Sequence, residues 1–189
     1  MSRDTDRQLV GRVLAGETNA FNFLVLRYQH RVAGLISRFV QSPQEIEDIS
    51  QEAFVKAYRA LSLFRGDSSF YTWLYQIAVN TAKNYLVSRN RRLMAGSLDI
   101  EEAEHGELAP ALRDIADPES ELEMEHLKAV IDAAIEELPE ELRTAFTLRE
   151  FSGMSYEQIT EVMDCPVGTV RSRIFRAREA IDRKIREIL

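Results

Sequence analysis

The stretch Asp164–Arg178, which reads DCPVGTVRSRIFRAR, places four arginines on one short helix of an otherwise acidic chain. Asp164-Cys165-Pro166 is a turn signal. The apolar residues that follow recur at steps of 3, 4 and 7, namely Val167, Val170, Ile174, Ile181, Ile185 and Ile188. This spacing predicts a helix with one buried stripe. The side chains off the stripe are expected to face outward: Arg171, Ser172, Phe175, Arg176 and Arg178.

A shorter helix is predicted just upstream, where Ser155 followed three residues later by Gln158 forms a capping-box pattern. A short helix, a tight turn and a longer helix with a basic face are the helix-turn-helix layout, in which the second helix enters the DNA major groove. Arginine pairs with guanine there, and an exposed Phe175 can contact a thymine methyl. The simpler interpretation is an arginine-rich face in solvent.

Charge is distributed unevenly along the 189 residues, whose net charge is −7. Residues 1–93 hold 13 Lys and Arg against 8 Asp and Glu, a net +5, and residues 165–189 hold 7 against 3, a net +4. Between them, residues 94–120 hold 1 against 8, a net −7, and residues 121–164 hold 3 against 12, a net −9. Two basic regions flanking an acidic middle predict two DNA-contacting parts and little non-specific binding elsewhere.

Composition indicates a soluble globular protein, with 45% hydrophobic and 29% charged residues. The single Cys165 excludes an internal disulfide and a cysteine-based zinc site, and fits a reducing compartment. No signal peptide opens the chain, and no run approaches the ~18 apolar residues that a spanning helix needs. We therefore expect a cytoplasmic protein without direct membrane insertion, linked to a membrane only through a partner.

Helical periodicity dominates and predicts an all-α fold of two small domains joined by an acidic flexible linker. The first domain, residues 1–93, is expected to hold four helices, over Arg7–Ala15, Asn19–Val40, Pro43–Leu61 and Phe70–Arg92. The second of these helices should place Phe21, Leu24, Tyr28, Leu35 and Phe39 inward. Ser42 should cap the third helix, with Pro43 at its first position and Glu45 completing a capping box.

Residues 94–117 break the helical pattern. They contain Gly96, Gly106 and Pro110 and an excess of carboxylates, which predicts the linker. A helical pattern begins again at Asp117-Pro118. In the second domain, residues 118–189, Pro139, Gly153 and Pro166 are predicted to interrupt the helices.

The fourth predicted helix has two faces of different chemistry. Its expected core face holds Leu74, Ile77, Ala78, Thr81 and Tyr85, and the neighbouring face holds Trp73, Gln76, Asn80, Lys83 and Asn84. Rings stack on unpaired bases, amides read base edges and cations hold phosphates, so the second face suits single-stranded DNA. The loop before it, with Gly66, Ser68 and Ser69, is suited to one extruded base. Aromatic residues at helical spacing also pack in cores, which leaves that alternative open.

The third predicted helix has a polar and acidic stripe. Asp48, Gln51, Glu52 and Val55 should line this stripe, while Ile49, Ala53, Ala57 and Leu61 pack inward. Such a stripe is either an interaction face or an ordinary solvated face.

Four blocks in this order carry a family resemblance that runs nearly end to end. They read DISQEAFVKAYRAL, FRGDSSFYTWLYQIAVNTAKNYL, LPEELRTAFTLREFSGMSYEQI and MDCPVGTVRSRIFRAREAID. The chain resembles the extracytoplasmic-function group of bacterial RNA polymerase sigma factors. The first domain is similar to sigma region 2 and the second to sigma region 4.

The resemblance implies three sets of site residues. Docking on the clamp helices of the polymerase largest subunit falls to Asp48, Gln51, Glu52 and Phe54. Melting of the −10 element and binding of a flipped base fall to Phe64, Arg65, Gly66, Asp67, Ser68, Ser69, Phe70, Trp73, Gln76, Asn80, Lys83 and Asn84. Reading of a −35 element of the GGAAC type falls to Arg171, Ser172, Phe175 and Arg176, with Thr169 and Arg149 on phosphates.

The partners that the resemblance implies are core RNA polymerase, through its clamp helices and flap, promoter DNA, and a membrane-anchored anti-sigma factor in an envelope-stress response. The acidic linker would run through the polymerase channel near the RNA path. No catalytic residue, metal site or cofactor is expected.

Two other functions fit parts of the sequence. An operator-binding repressor or activator would explain the helix-turn-helix, and would normally dimerise on a palindrome. A metal enzyme could use the E-x-x-H strings Glu102–His105 and Glu123–His126, whose spacing occurs in helical di-iron sites. The further glutamates that such a site needs are not evident.

Overall fold

Eight α-helices make up most of the computed structural model, which describes residues 4–94 and 118–188, with side chains for 4–94 and 126–187. They are α1 (Asp6–Leu14), α2 (Ala20–Ile36), α3 (Pro43–Ala60), α4 (Phe70–Met94), α5 (Pro118–Glu136), α6 (Glu140–Glu150), α7 (Tyr156–Met163) and α8 (Val167–Ile188). A 3₁₀ turn, Leu61–Leu63, follows α3. No strand occurs within these ranges, which confirms the all-α prediction. Residues 95–117 of the predicted linker lie outside the described residues.

The first domain is built by packing α1 and α3 on α2, and α4 on both α2 and α3. The predicted inward residues of α2 are confirmed, since Phe21, Leu24, Tyr28, Leu35 and Phe39 are all buried. The four inward residues predicted for α3 are buried as well: Ile49, Ala53, Ala57 and Leu61. The alternation of buried and exposed positions therefore follows the helical period that the sequence shows.

The end of α2 differs from the prediction, because the helix stops at Ile36 and does not reach Val40. The Ser37 hydroxyl donates to the Gly34 carbonyl at 3.0 Å, which competes with the helical backbone bonds. The Phe39 amide then bonds back only three residues, to the Ile36 carbonyl at 2.8 Å. The chain leaves the helix there, although Phe39 and Val40 stay buried.

Only one of the two hydrogen bonds of the predicted capping box forms at the start of α3. The Ser42 side chain accepts from the Glu45 amide, as predicted, but the Glu45 carboxylate does not complete the capping box. It accepts instead from the Tyr85 hydroxyl at 2.7 Å and pairs with Arg89 at 3.4 Å. Partial burial, together with this acceptor, raises the pKa of Tyr85. Glu45 therefore ties α3 to α4.

In the second domain, α7 lies against both α6 and α8, and α5 packs on α8. The breaks predicted at Pro139, Gly153 and Pro166 separate the four helices. Ser155 and Gln158 form the predicted capping box at the start of α7. Of the predicted stripe on α8, Val170, Ile174 and Ile181 are buried and Ile185 is half-buried. The Ile188 side chain lies outside the described residues.

Val167 departs from the predicted stripe, because it is 39% exposed. It is the first residue of α8 and lies at the end of the stripe, beyond the covered part of the helix.

Asp164 closes the turn between α7 and α8 in the left-handed conformation, with φ 48° and ψ 53°. Side chains branched at Cβ clash with the backbone in this region, whereas glycine does not. We expect Asp164→Val to lower the free energy of unfolding by about 2 kcal/mol, and Asp164→Gly to change it by less than about 1 kcal/mol. Urea titrations of both variants measure the difference. Equal stabilities would contradict the assigned backbone conformation.

Candidate functional site

The outer face of α8 carries the side chains predicted to read DNA. Arg171, Ser172, Phe175 and Arg176 are all exposed, and Phe175 is exposed to 62%. The Ser172 hydroxyl donates to the Thr169 carbonyl at 2.9 Å, so the first turn of the helix fixes its direction. A large apolar ring held in water between two cations is costly unless a partner covers it.

The other two arginines of this stretch hold α8 on its own domain. Arg173 is half-buried and binds Glu141 of α6, with Cys165 Sγ at 3.2 Å from its guanidinium. Arg178 is exposed, as predicted, and pairs with Glu150 at the end of α6. These contacts orient the helix while Arg171 and Arg176 face outward.

Tyr156 brings two of the predicted DNA-contacting arginines together. The guanidinium of Arg149 lies 4.9 Å from the centre of the Tyr156 ring, and that of Arg171 lies 5.6 Å from it. Arg149 also donates to the Met154 carbonyl at 2.7 Å. Cations over an aromatic face are attracted by its quadrupole. Tyr156 was not among the predicted site residues, although its place at the start of α7 between two basic elements was a usable signal.

The predicted strand-binding surface begins at a cluster of three rings. Phe64 lies 5.1 Å from Trp73 and 6.0 Å from Phe70, and Phe70 lies 5.7 Å from Trp73. Phe64 and Trp73 are half-buried, whereas Phe70 is only 3% exposed. The cluster is thus partly core and partly surface.

The loop before α4 is open at its tip, where Arg65, Gly66 and Asp67 are exposed. Gly66 has φ 78°, a conformation that other residues rarely adopt. Ser68 is half-buried, and Ser69 caps α4 by accepting from the Thr72 amide at 3.1 Å.

The polar half of the same surface is not uniformly open. Asn80 and Asn84 are exposed, and Gln76 is half-buried. Lys83 is half-buried because its ammonium pairs with Glu140 of the second domain at 3.2 Å. The residue predicted to hold a phosphate therefore holds a carboxylate in this structure.

The stripe on α3 is exposed as predicted at Asp48, Gln51, Glu52 and Val55. Gln51 donates to Glu47 at 3.0 Å, and Glu52 pairs with Lys56 at 2.7 Å. Both are contacts within one helix between residues four apart, which do not tie the stripe to another element.

Two family matches cover most of the described residues. Residues 24–92 match Sigma-70 region 2, and residues 128–181 match Sigma-70, region 4. The chain belongs to the sigma-70 family. It is 57% identical over 189 residues to the RNA polymerase sigma-H factor of Pseudomonas aeruginosa, covering 100% of this chain and 98% of that protein. It is 58% identical over 185 residues to the ECF RNA polymerase sigma-E factor of Escherichia coli (strain K12), covering 98% and 96%.

Among solved structures, the sigma factor RpoE of Bartonella quintana, in complex with the anti-sigma factor NepR, has the same fold, with a TM-score of 0.70. It is 22% identical and covers 89% of this chain and 98% of that one. The resemblance to extracytoplasmic-function sigma factors is thus confirmed, and the chain falls in a family of transcription regulators.

Two predicted site residues lie in the core of region 2. Phe54 is 8% exposed, because it points from α3 into the helix packing, away from Asp48 and Glu52. Phe70 lies beneath Phe64 and Trp73. Both rings therefore lie beneath the exposed part of the predicted surfaces, and their roles in docking and in −10 melting stay predictions.

Region 2 also has contacts that the sequence analysis missed. The Tyr71 hydroxyl donates to the Ser152 carbonyl at 2.9 Å, and Gln158 lies 3.5 Å from the Thr72 hydroxyl. Both partners belong to region 4, so α4 and α7 lie against each other. No sequence signal could have paired residues so far apart along the chain.

Residues 4–94 and 126–187 contain no group of three His, Cys, Asp or Glu side chains placed to hold a metal ion. The string Glu102–His105 and the side chain of Glu123 lie outside the described residues, and His126 is exposed. No helix in the described part of the chain is long and apolar enough to cross a membrane.

Phe54 and Val55 are neighbours on α3, but Phe54 packs in the core and Val55 lies on the exposed stripe. We expect Phe54→Ala to lower the free energy of unfolding by about 3–5 kcal/mol, because it leaves a cavity in the core. Val55→Ala, on the exposed stripe, should change it by no more than about 0.5 kcal/mol. Thermal and urea unfolding measure both values. A mild effect of Phe54→Ala would place this ring outside the core.

Proposed function

We propose that this chain binds core RNA polymerase and directs it to promoters with two recognition elements, reading −10 with region 2 and −35 with region 4. The observation that carries the proposal is the presence, on one sigma-70 chain, of two exposed surfaces of different chemistry, each suited to one form of DNA. One is an arginine and phenylalanine face suited to a major groove, and the other is a ring and amide face suited to unpaired bases. The polymerase performs the chemistry, and this chain supplies no catalytic group.

The reading of −35 duplex DNA is assigned to α8. Arg171 and Arg176 are positioned to pair with bases, Phe175 to contact a thymine methyl, and Ser172 to bond either kind of edge. Exposure of all four side chains supports this assignment. Arg149, held by Tyr156 and Met154, and Thr169, at the start of α8, are assigned to phosphates.

Strand opening at −10 is assigned to the loop 64–69 and the outer face of α4. The half-exposed rings of Phe64 and Trp73 offer aromatic surface for base stacking, and Asn80 and Asn84 offer exposed amides. Stacking contributes about 1–3 kcal/mol per base. Gln76 and Lys83 complete the surface when Lys83 is free of Glu140.

Docking on the polymerase clamp helices is assigned to the exposed stripe of Asp48, Gln51 and Glu52, which also presents Val55. Carboxylates at its rim would guide association and orientation, while the apolar residue contributes contact area.

Control by an anti-sigma factor is proposed from the family. The sigma factor of Bartonella quintana, which shares its fold with this chain, is solved in complex with such a partner. We place this chain in the cytoplasm, held at the membrane when its inhibitor is membrane-anchored, and released by envelope stress.

The first test is run-off transcription with purified core polymerase on templates with an intact or mutated GGAAC-type −35 box. We expect Arg176→Ala to reduce transcription from the intact template by about 10- to 100-fold, because a bidentate contact between arginine and a base contributes about 1–3 kcal/mol. The variant should also transcribe the intact and the mutated template equally. Arg149→Ala should weaken both templates alike. Arg183→Ala, exposed near the end of α8, is the matched control. Unchanged discrimination in Arg176→Ala would refute the assignment.

The second test separates recruitment from strand opening. We expect Trp73→Ala to bind core polymerase and closed promoter normally, but to lower permanganate reactivity of the −10 thymines several-fold, since a stacking ring is lost. Asn80→Ala should act in the same direction, and Trp73→Phe should recover much of the opening. Asn90→Ala, exposed on the same helix, is the control. Normal opening in Trp73→Ala would rule out the stacking role.

A further inference from the structure

A cleft of about 600 Å³ lies between the two domains, and none of the proposed DNA or docking surfaces includes its lining residues. One side of the cleft is formed by α2 and the start of α4, and the other by the end of α6 and the turn that follows it. Ligand sites in proteins are typically clefts of about 300–1,000 Å³, and many lie where two domains meet. The cleft therefore has the size and the position of a small-molecule site.

The α2 side of the cleft is cationic. His30, Arg31 and Arg38 line it. Arg38 pairs with Asp132 of α5 at 2.9 Å, whereas no carboxylate in residues 4–94 or 126–187 forms an ion pair with Arg31. Glu150 also lines the cleft, but it pairs with Arg178 of α8. A guanidinium without a carboxylate partner is suited to bind an anion, and phosphate matches its planar set of donors.

The second domain contributes an exposed aromatic ring to the cleft. Phe151 is 49% exposed, and the centre of its ring lies 4.0 Å from the Arg38 guanidinium. On the α4 side, the centre of the Tyr71 ring lies 5.9 Å from the Arg31 guanidinium. Flat rings of ligands stack on aromatic side chains and on guanidinium planes. The cleft thus combines cations with aromatic surface.

The two tyrosines of the cleft use their hydroxyl protons within the protein. The Tyr71 hydroxyl donates to the Ser152 carbonyl at 2.9 Å, and the Tyr75 hydroxyl donates to the Arg31 carbonyl at 3.2 Å. The side-chain donors that remain for a ligand belong to Arg31 and His30. Since these donors are nitrogen groups of basic residues, the matching ligand group is an acceptor that carries negative charge.

Size and chemistry together define the ligand. An inorganic anion on Arg31 would leave most of the 600 Å³ and the Phe151 ring uncovered. An uncharged ring on Phe151 would leave the Arg31 guanidinium without an anion. A molecule that joins an anionic group to a flat ring satisfies both features.

We propose that this cleft binds a small molecule of the nucleoside phosphate class, with its phosphates on Arg31 and His30 and its base on Phe151. The site is separate from the surfaces that contact promoter DNA and polymerase in the proposed function, and its ligand is a free nucleotide.

The first test measures nucleotide binding to the full chain by isothermal titration calorimetry. The probes are ADP and GDP, and adenosine, guanosine and inorganic pyrophosphate represent their separate halves. We expect at least one of the two nucleotides to bind saturably, with one molecule per chain, and about tenfold or more tightly than either of its halves, because ring and phosphates are held together. If neither nucleotide binds saturably at millimolar concentration, the proposal is overturned.

Arg31→Glu tests the phosphate contact, and it breaks no ion pair of the described residues. We expect it to weaken binding of the nucleotide about tenfold or more, and Arg31→Lys to retain part of the affinity, because an ammonium still attracts phosphate. Arg7→Glu is the matched control, since Arg7 is exposed on α1 outside the cleft and the charge change is the same. Equal weakening by Arg7→Glu would mean that net charge alone determines the affinity, and would contradict the proposed site.

Phe151→Leu tests the stacking contact while it keeps an apolar side chain at this position. We expect it to weaken binding of the nucleotide several-fold and to leave binding of inorganic pyrophosphate unchanged, since only the ring contact is lost. Equal weakening of both ligands would contradict the placement of the base on Phe151.

Amide NMR spectra of the full chain locate the bound nucleotide. The amide signals of Gly34 and Gly153, which both line the cleft, should shift on addition of the nucleotide in the unaltered chain and not in Arg31→Glu. Shifts confined to the outer face of α8 would show that the nucleotide binds the DNA-reading arginines, and would overturn the proposal.

A single strand with the −10 sequence is another source of a base and a phosphate, and it is titrated in the same way. If the strand shifts the signals of Gly34 and Gly153 and no free nucleotide does, the cleft belongs to DNA and the proposal is wrong. Nucleotide binding is measured without polymerase or promoter, so its outcome is independent of transcription. A chain that transcribes but binds no nucleotide refutes this proposal alone, and one that binds the nucleotide but starts no RNA refutes the proposed function alone.

Discussion

Burial of the inner face of α4 is the interaction on which the first domain and its surface depend. Leu74, Ala78 and Ala82 are fully buried where α4 meets α2 and α3. Because helical side chains rotate by a fixed angle per residue, fixing this face also fixes where Trp73 and Asn80 lie. A DNA-binding surface on a packed helix is more precise than one on a loop, since the core sets its geometry.

The same dependence holds in the second domain. The buried stripe of α8, with Val170, Ile174 and Ala177 fully packed, forces Arg171 and Phe175 to the opposite side. Arg173 and its contact with Glu141 add orientation to burial. Tyr156 then holds Arg149 and Arg171 near one ring, so residues from α6 and α8 act on one surface.

Periodicity and caps predicted the helices and their buried faces well, because both are set by residues close in sequence. Apart from the early end of α2, which has a local cause in Ser37, the failures have non-local causes. Glu45 left its predicted capping box for Tyr85 and Arg89, which belong to another helix. Val167 follows the apolar period but lies at the uncovered end of the stripe. Such outcomes depend on which element lies alongside, and the period of one helix does not contain that information.

The candidate site was predicted as sets of residues, and the structure shows which members reach solvent. Phe54 and Phe70 sit within blocks of family resemblance, yet burial makes them supports for the surface. A family motif indicates that a residue lies close to a functional surface, but it does not show whether the side chain is exposed or buried. The contacts of Tyr71 and Thr72 with the second domain were beyond reach for a different reason, since they depend on how two separately predicted domains meet.

Dependence on polymerase follows from the small size of the two DNA surfaces. Each surface offers only a few contacts, and a polymerase that holds both domains would join the two surfaces on one platform, which raises their combined affinity. The acidic charge of residues 121–164 acts in the same direction, because a net charge of −9 repels phosphates. Part of this charge is paired with basic residues of the first domain, Asp132 with Arg38 and Glu140 with Lys83. The chain alone is therefore expected to bind DNA weakly.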